Sequence, residues 1–295
     1  MKSGFVSIVG RPNVGKSTLI NNILETKLAI VSKKAQTTRN VIQGVYNDSD
    51  SQIVFVDTPG IHKPQNKLGS ILNKKTYHMM DNVDLILFLV DVFSGVGKGD
   101  MFVLDKIKDL EIPIILVLNK VDKIPKLKIL EIIDKLKDVY PFEEIVPISA
   151  LKGDNVLELV KVIKKYLPDQ EKIFDDNTFT NISTKFYVSE IIREKVLLFT
   201  EKEVPHSVTC LVETLSEEKE KVYIQALIIV DRDSLKKIII GSNGSLIKKI
   251  GESSRLDLEE YFGKKVYLET FVKTIDNWRE KEKYLKELGI DELES

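Results

Sequence analysis

Short apolar runs alternate with amphipathic stretches over the first 167 residues. Runs at 5–9, 53–56, 85–90, 114–118 and 145–148 have strand length. Stretches at 16–24, about 70–80, 101–110, 126–139 and 155–166 carry apolar residues at helical spacing. Strands alternating with helices need crossovers, so this half predicts an α/β domain with a mostly parallel, buried sheet. Residues 41–46 and 52–56 flank Asn47-Asp48-Ser49-Asp50-Ser51 and read as a hairpin, which adds one antiparallel edge strand. After Leu167-Pro168 the pattern changes. Residues 168–180 are polar and acidic and read as a linker. From 181 to 295 the order becomes helix (183–199), two strands (207–213 and 221–231), two helices around 241–244, a strand (265–274) and a charged C-terminal helix. That predicts a smaller α+β domain with no internal repeat.

The 295 residues carry 44 Lys and Arg against 45 Asp and Glu, a net charge of −1. A uniformly basic nucleic-acid binder is excluded. The near-zero total hides an uneven split: residues 1–170 hold 24 basic and 20 acidic side chains, the remainder 20 and 25. Inside the acidic half, residues 234–251 contain Lys236, Lys237, Lys248 and Lys249 and no acid. Cys210 is the single cysteine, so no internal disulfide forms and the cytosol is the expected compartment. The N-terminal residues lack a signal-peptide pattern, and no apolar stretch reaches the roughly 20 residues of a membrane span.

Gly10-Arg11-Pro12-Asn13-Val14-Gly15-Lys16-Ser17-Thr18 contains G-x-x-x-x-G-K-[ST] between a strand and a helix. In that context the loop turns successive N–H groups toward phosphate oxygens at a helix N-terminus. Lys16 would reach the β- and γ-phosphates and Ser17 would ligate Mg²⁺. The base is read elsewhere. Asn119-Lys120-Val121-Asp122 follows the 114–118 strand. The Asp122 carboxylate matches the N1–H and N2 amino donors of guanine, which adenine lacks. Asn119 would brace the loop or touch the base, the Lys120 stem would lie over the ring, and Ser149-Ala150 would offer the Ala150 amide to guanine O6. Asp57-Thr58-Pro59-Gly60 closes a strand; Asp57 would hold Mg²⁺ through water and the Gly60 amide would sense the γ-phosphate. Of Thr37 and Thr38, Thr38 is favoured to complete the Mg²⁺ shell when GTP is bound; a loop or capping hydroxyl is the alternative. Such loops order around a γ-phosphate and relax on hydrolysis.

These segments resemble, over about residues 3–167, the translation-factor-related GTPases of the P-loop class. Signalling GTPases place a water-orienting Gln after D-x-x-G. Here the position holds Ile61, whose side chain neither donates nor accepts a hydrogen bond, so either intrinsic hydrolysis is slow, as expected, or the water is placed by other means. The adjacent His62 reads as an exposed loop residue. Some relatives with a hydrophobic residue there use a potassium ion held by a P-loop Asn, and Asn13 matches that place.

In the second half, Ile240-Gly241-Ser242-Asn243-Gly244 sets a G-x-x-G turn between two helices, flanked by the lysine pairs at 236/237 and 248/249. Leu235, Ile239, Leu246 and Ile250 are placed to pack the helices together. In KH domains this loop lets single-stranded nucleotides lie against the backbone. With G-R-P-N-V-G-K-S, Q-T-T-R, D-T-P-G-I, N-K-V-D and I-S-A, the chain resembles the bacterial Era-family GTPases: a GTPase domain followed by a prokaryotic-type KH domain. The resemblance implies a GTP/GDP and Mg²⁺ site and binding of single-stranded RNA near the 3′ end of small-subunit ribosomal RNA. It also implies a role in assembling the small ribosomal subunit, and cytoplasmic location with some contact at the inner face of the membrane. RNA, not DNA, is the implied nucleic acid.

Trp278, Tyr261, Phe262, Tyr267 and Phe271 are expected in the core, and Cys210 as a buried small residue. His78 and His206 have no metal-ligand cluster around them. The tail from Arg279 reads as a solvated helix. Two other readings compete: an RNA-binding module whose GTPase half is structural or localising, and an NTP-dependent small-molecule kinase, for which N-K-x-D would have no purpose.

Overall fold

The apolar runs at 5–9, 53–56, 85–90 and 114–118 become interior strands with a neighbour on each side, and the run at 145–148 becomes a half-buried edge strand. In the computed structural model, which describes residues 1–31, 40–61, 66–176 and 178–288, the first unit runs through Asn181. Its elements are β1 (Lys2–Val9), α1 (Lys16–Ile23), β2 (Ile42–Asn47), β3 (Ser51–Asp57), α2 (Lys67–Met80), β4 (Leu85–Asp91), α3 (Lys98–Ile107), β5 (Ile114–Asn119), α4 (Lys126–Leu136), β6 (Glu144–Ile148) and α5 (Val156–Tyr166). Strand order is β2-β3-β1-β4-β5-β6, all parallel except β2, which pairs antiparallel with β3. Every residue of β3, β4 and β5 is buried, as expected of a parallel sheet covered on both faces. On α5, Val156, Leu159, Val160 and Ile163 are buried at helical spacing.

β1 lies where the strand order reverses, with β3 on one side and β4 on the other. In open α/β sheets ligands bind at the carboxyl ends of the strands at such a point. The loop leaving β1 therefore sits where the fold favours a site.

Two segments depart from the sequence expectation. Helix α3 starts at Lys98, three residues early, because the Asp100 carboxylate accepts the Gly97 N–H at 2.8 Å and caps the first turn. The polar stretch 168–180, expected as a linker, runs back along the first unit. Ser3 N–H donates to Pro168 O at 3.1 Å, and Val45 N–H donates to Phe179 O at 3.0 Å. The buried Gln52 side chain accepts from the Ile173 and Phe174 amides at 2.7 and 2.9 Å and donates to Phe174 O at 2.8 Å. Gln52 is a polar residue inside an apolar strand, and the returning segment supplies its hydrogen bonds.

The second unit contains α6 (Thr184–Phe199), α7 (Val204–Ser207), β7 (Val208–Glu217), β8 (Lys221–Val230), α8 (Asp233–Ile240), α9 (Ser245–Phe262), β9 (Lys265–Thr274) and α10 (Glu282–Glu287). β7 pairs antiparallel with β8, and β8 parallel with β9. α6 packs on β7 and α9, and α9 packs on β9, so the helices cover one face of the sheet. Trp278 and Cys210 are buried, as expected. Three aromatic residues expected in the core are not there: Tyr261, Tyr267 and Phe271 are 49%, 49% and 53% exposed. β9 alternates, and Tyr267 and Phe271 occupy the positions that face away from the helices. Tyr261, near the end of α9, instead packs its ring against Tyr187, tilted by 33° with centroids 4.4 Å apart. The tail forms a short 3₁₀ turn, Trp278–Glu280, before α10.

The β2–β3 hairpin is fastened to α5 by Lys164, which donates to Asp48 at 2.5 Å and Asp50 at 2.6 Å. Burial pushes the Asp48 carboxyl up, but the hydrogen bonds from Lys164 and Ser51 outweigh it and hold it well below the usual carboxylate range. A depressed folded-state value stabilises the fold at pH values above the unfolded carboxylate value of about 4 and stops doing so as pH falls through the folded value. Asp48→Asn is therefore expected to lower the thermal midpoint by about 2–4 °C at pH 7. The difference from wild type should shrink as pH is lowered below about 4 in the same scanning experiment.

Candidate functional site

The turn after β1 is built to be occupied by an anion. Gly15, at φ 107°, is the N-cap of α1, and a Cβ there would run into the Asn119 side-chain amide. Lys16 is buried, with its ammonium 3.4 Å from the carbonyls of Gly10 and Arg11. Burial pushes the Lys16 ammonium below its ordinary range, partly opposed by the Asp57 charge. A bound polyphosphate would add to the negative charge that Asp57 alone supplies to this buried cation.

Ser17 donates to Asp57 at 2.9 Å, and Asp57 is fully buried at the end of β3. A hydroxyl beside a carboxylate is a hard-oxygen donor pair that suits Mg²⁺, with phosphate and water oxygens completing the shell. The next residues hold the same corner. Thr58 donates to Ile8 O at 3.0 Å, and Gly60 approaches the phosphate loop so closely that a Cβ would lie 2.9 Å from Pro12 N. Ile61 is buried in the apolar cluster with Val9, Phe88 and Val103, so its side chain points into the core. Thr37, Thr38 and His62 lie outside the described residues.

Asn119 ties three loops together. Its amide donates to Val14 O at 2.7 Å, and its carbonyl accepts from Lys120 N at 2.8 Å and Ala150 N at 2.9 Å. Of the two roles left open for Asn119, bracing is the one these bonds describe. They also engage the Ala150 N–H inside the protein, so it reaches a guanine O6 only by sharing that proton. Asp122 is exposed and its carboxylate accepts from Ser149 Oγ at 2.7 Å, which orients it. Lys120, at φ 70°, donates to Asn13 O at 2.8 Å and pairs with Asp91 at 2.6 Å. Sequence reasoning missed Asp91. A carboxylate closing the strand next to β5 was the available signal.

The second candidate site lies between α8 and α9. Gly241 sits at φ 73°, ψ 177°, and a Cβ there would lie 2.9 Å from Leu246 N. Asn243 and Gly244 are both left-handed, at φ 50° and 75°. The turn is thus backbone with little side-chain bulk, feeding the N-terminus of an 18-residue helix. Ser242 and Asn243 are exposed and Ile240 is half-buried; Leu235, Ile239 and Ile250 are buried beneath it, with Leu246 half-buried. Lys237, Lys248 and Lys249 are exposed and Lys236 is half-buried. Lys249 rests over the Phe199 ring at 4.4 Å, which fixes its direction. Among the described residues no group of His, Cys, Asp and Glu forms a further metal site.

A phosphate loop at the switch point of a parallel sheet, an oriented carboxylate for the base and a G-x-x-G turn on an αββααβ unit define a GTPase joined to a KH domain. Comparison with known proteins agrees. A family model described as "50S ribosome-binding GTPase" matches residues 5–120, and one described as "KH domain" matches residues 203–279. A crystal structure of Aquifex aeolicus Era, a variant bound to GDP.AlF4⁻, is 42% identical with a TM-score of 0.95, covering 98% of this chain and 99% of that one. A structure of Era with MgGDPNP and nucleotides 1506–1542 of 16S ribosomal RNA is also 42% identical, with a TM-score of 0.96 and the same coverage. The chain belongs to the Era family of GTPases.

Gly241→Ala would force a Cβ into a backbone region open essentially to glycine alone. It is expected to cost about 1–3 kcal/mol in the second unit. Trp278, the single tryptophan, is buried in that unit, so urea unfolding followed by its fluorescence reads the loss directly.

Proposed function

We propose that the chain is a GTP-hydrolysing switch that binds single-stranded RNA at the 3′ end region of small-subunit ribosomal RNA and acts in assembling that subunit. The observation that carries the reading is the end-to-end match to an Era structure holding both MgGDPNP and 16S ribosomal RNA nucleotides. The arrangement of the chain's own residues supports it at both sites.

At the nucleotide site, the loop amides of Asn13 through Thr18 and the Lys16 ammonium hold the phosphates. Asp122 selects guanine, while Asn119, Lys120, Ser149 and Ala150 fix the loops around the base. Ser17, Asp57 and, from outside the described residues, Thr38 would hold Mg²⁺, which supplies charge neutralisation on the β- and γ-phosphates when bound. Gly60 lies close against the phosphate loop, and its amide would register a γ-phosphate there. The buried Ile61 leaves no side chain at the position of a water-orienting Gln, consistent with slow intrinsic hydrolysis. Potassium near Asn13 would help place charge there. Hydrolysis is then expected to run faster in potassium than in sodium buffer at equal ionic strength; equal rates remove potassium from the account.

At the RNA site, the backbone of 241–244 admits nucleotides, and the lysines at 236, 237, 248 and 249 add point charges to phosphate. Lys248→Ala with Lys249→Ala is expected to weaken RNA binding and lower the salt slope of log K by about two. The assembled small subunit and the inner membrane face are partners suggested by the family resemblance. No helix among the described residues is long and apolar enough to cross a membrane.

Crosslinking to total RNA in the presence of GTP or GDP, followed by sequencing, tests the whole reading. Enrichment of the 3′ end of small-subunit ribosomal RNA with GTP is the expected result. The structural-GTPase alternative predicts the same RNA from a Lys16→Ala variant with unchanged yield.

A further inference from the structure

The loop between β4 and α3 belongs to none of the sequence motifs, yet it holds a cation on each side of the nucleotide site. Asp91, at the end of β4, has a side chain only 9% exposed. One carboxylate oxygen accepts the Lys120 ammonium at 2.6 Å, and the other accepts the Phe93 and Ser94 amides at 3.0 and 3.1 Å. At the far end Asp100, fully buried, accepts the Arg11 guanidinium at 2.7 Å, and Arg11 also donates to Gly95 O at 3.1 Å. Arg11 is part of the phosphate loop and Lys120 part of the base loop. The segment from Asp91 to Asp100 therefore straps the two together.

We propose that Asp91 is a positioning residue for guanine-nucleotide binding: it clamps the Lys120 ammonium against the Asn13 carbonyl, lays the Lys120 stem across the base, and thereby sets how long nucleotide stays bound. This rests on the reading of the site as a GTP site. A lysine side chain free in solution samples many rotamers, and ordering it opposes binding. Here two anchors that belong to the protein itself, Asp91 at 2.6 Å and Asn13 O at 2.8 Å, hold the ammonium. Order supplied by the fold is order that binding does not have to supply. Burial pushes the Asp91 carboxyl up, but the bonds from Lys120 and the Ser94 amide outweigh it and hold it below the ordinary range, so it stays ionised at neutral pH. Lys120 contacts the base side of the site, not the γ-phosphate. Loss of the clamp should thus appear in affinity and release, not in the hydrolytic step.

A carboxylate that merely closes the 91–94 turn would give a different result. Asp91→Asn keeps an oxygen for the Phe93 and Ser94 amides but turns an NH₂ toward the Lys120 ammonium, setting donor against donor. The test is the release rate of a fluorescent GDP from the full chain by stopped flow, for wild type, Asp91→Asn, Lys120→Met and the double variant. Asp91→Asn should release GDP about tenfold faster, with KM for GTP raised and the loss not carried by kcat. The double variant should be no faster than Lys120→Met alone, because Asp91 acts through Lys120. Wild-type release from Asp91→Asn, or effects that multiply in the double variant, overturns the proposal. Asp91→Ser, which keeps a hydroxyl oxygen for the turn amides, carries the same test if Asp91→Asn fails to fold. Failure of the wild-type chain to bind GDP at all would overturn the GTP-site reading itself, a separate outcome.

Discussion

One buried amide side chain holds the nucleotide site together. Asn119 lies at the end of β5 and bonds to the loop after β1, to its own loop and to the loop after β6. Each loop alone is irregular chain at the carboxyl edge of a sheet, with backbone groups that need partners. Bonding through one side chain removes their independence. Neighbouring strand ends lie about one strand spacing apart, roughly 5 Å, which puts the loop after β6 beside Asn119, whereas β1 lies beyond β4 and the loop leaving it reaches across to the Asn119 amide. Asparagine offers a donor and an acceptor on one short stem, so a single side chain bonds both loops. Gly15 follows from the same constraint, since any Cβ there would displace the Asn119 amide.

Around this brace the charged groups are matched in pairs, except where ligand charge belongs. Lys120 has Asp91, Arg11 has Asp100, and Lys164 has Asp48 and Asp50. Lys16, buried within the phosphate loop, has among the described residues only carbonyl oxygens within hydrogen-bonding distance, and burial lowers its proton affinity despite the Asp57 charge. That contrast marks the place of the polyphosphate. In the second unit the logic is reversed. The lysines around 241–244 are mostly exposed and the turn is nearly bare backbone, which suits a flexible single strand rather than a small anion held in a pocket.

The motifs were legible because their chemistry is local. A phosphate loop, N-K-x-D and G-x-x-G each need fixed residue types at fixed spacing, and the alternation of apolar runs placed them on a parallel sheet and between two helices. What escaped the sequence was nonlocal. Asp91 gains meaning only when β4 lies beside β5. The 168–180 stretch looks like a linker until Gln52, buried in β3, is seen to need its backbone. Tyr267 and Phe271 read as core because aromatic residues in a strand usually are; only their register opposite Tyr223 and Leu227 on the helix-free face shows otherwise. Position alone points the Ala150 amide at the base, and the bond this amide donates to Asn119 Oδ1 shows that the protein already engages it.

The central claim is that the three nucleotide loops form one unit through Asn119. Amide hydrogen exchange of Asn119→Ala against wild type, both without nucleotide, tests it most directly. The account predicts joint loss of protection in peptides covering residues 10–17, 119–123 and 149–153, with the strands between them unchanged. Faster exchange confined to 119–123 would contradict it.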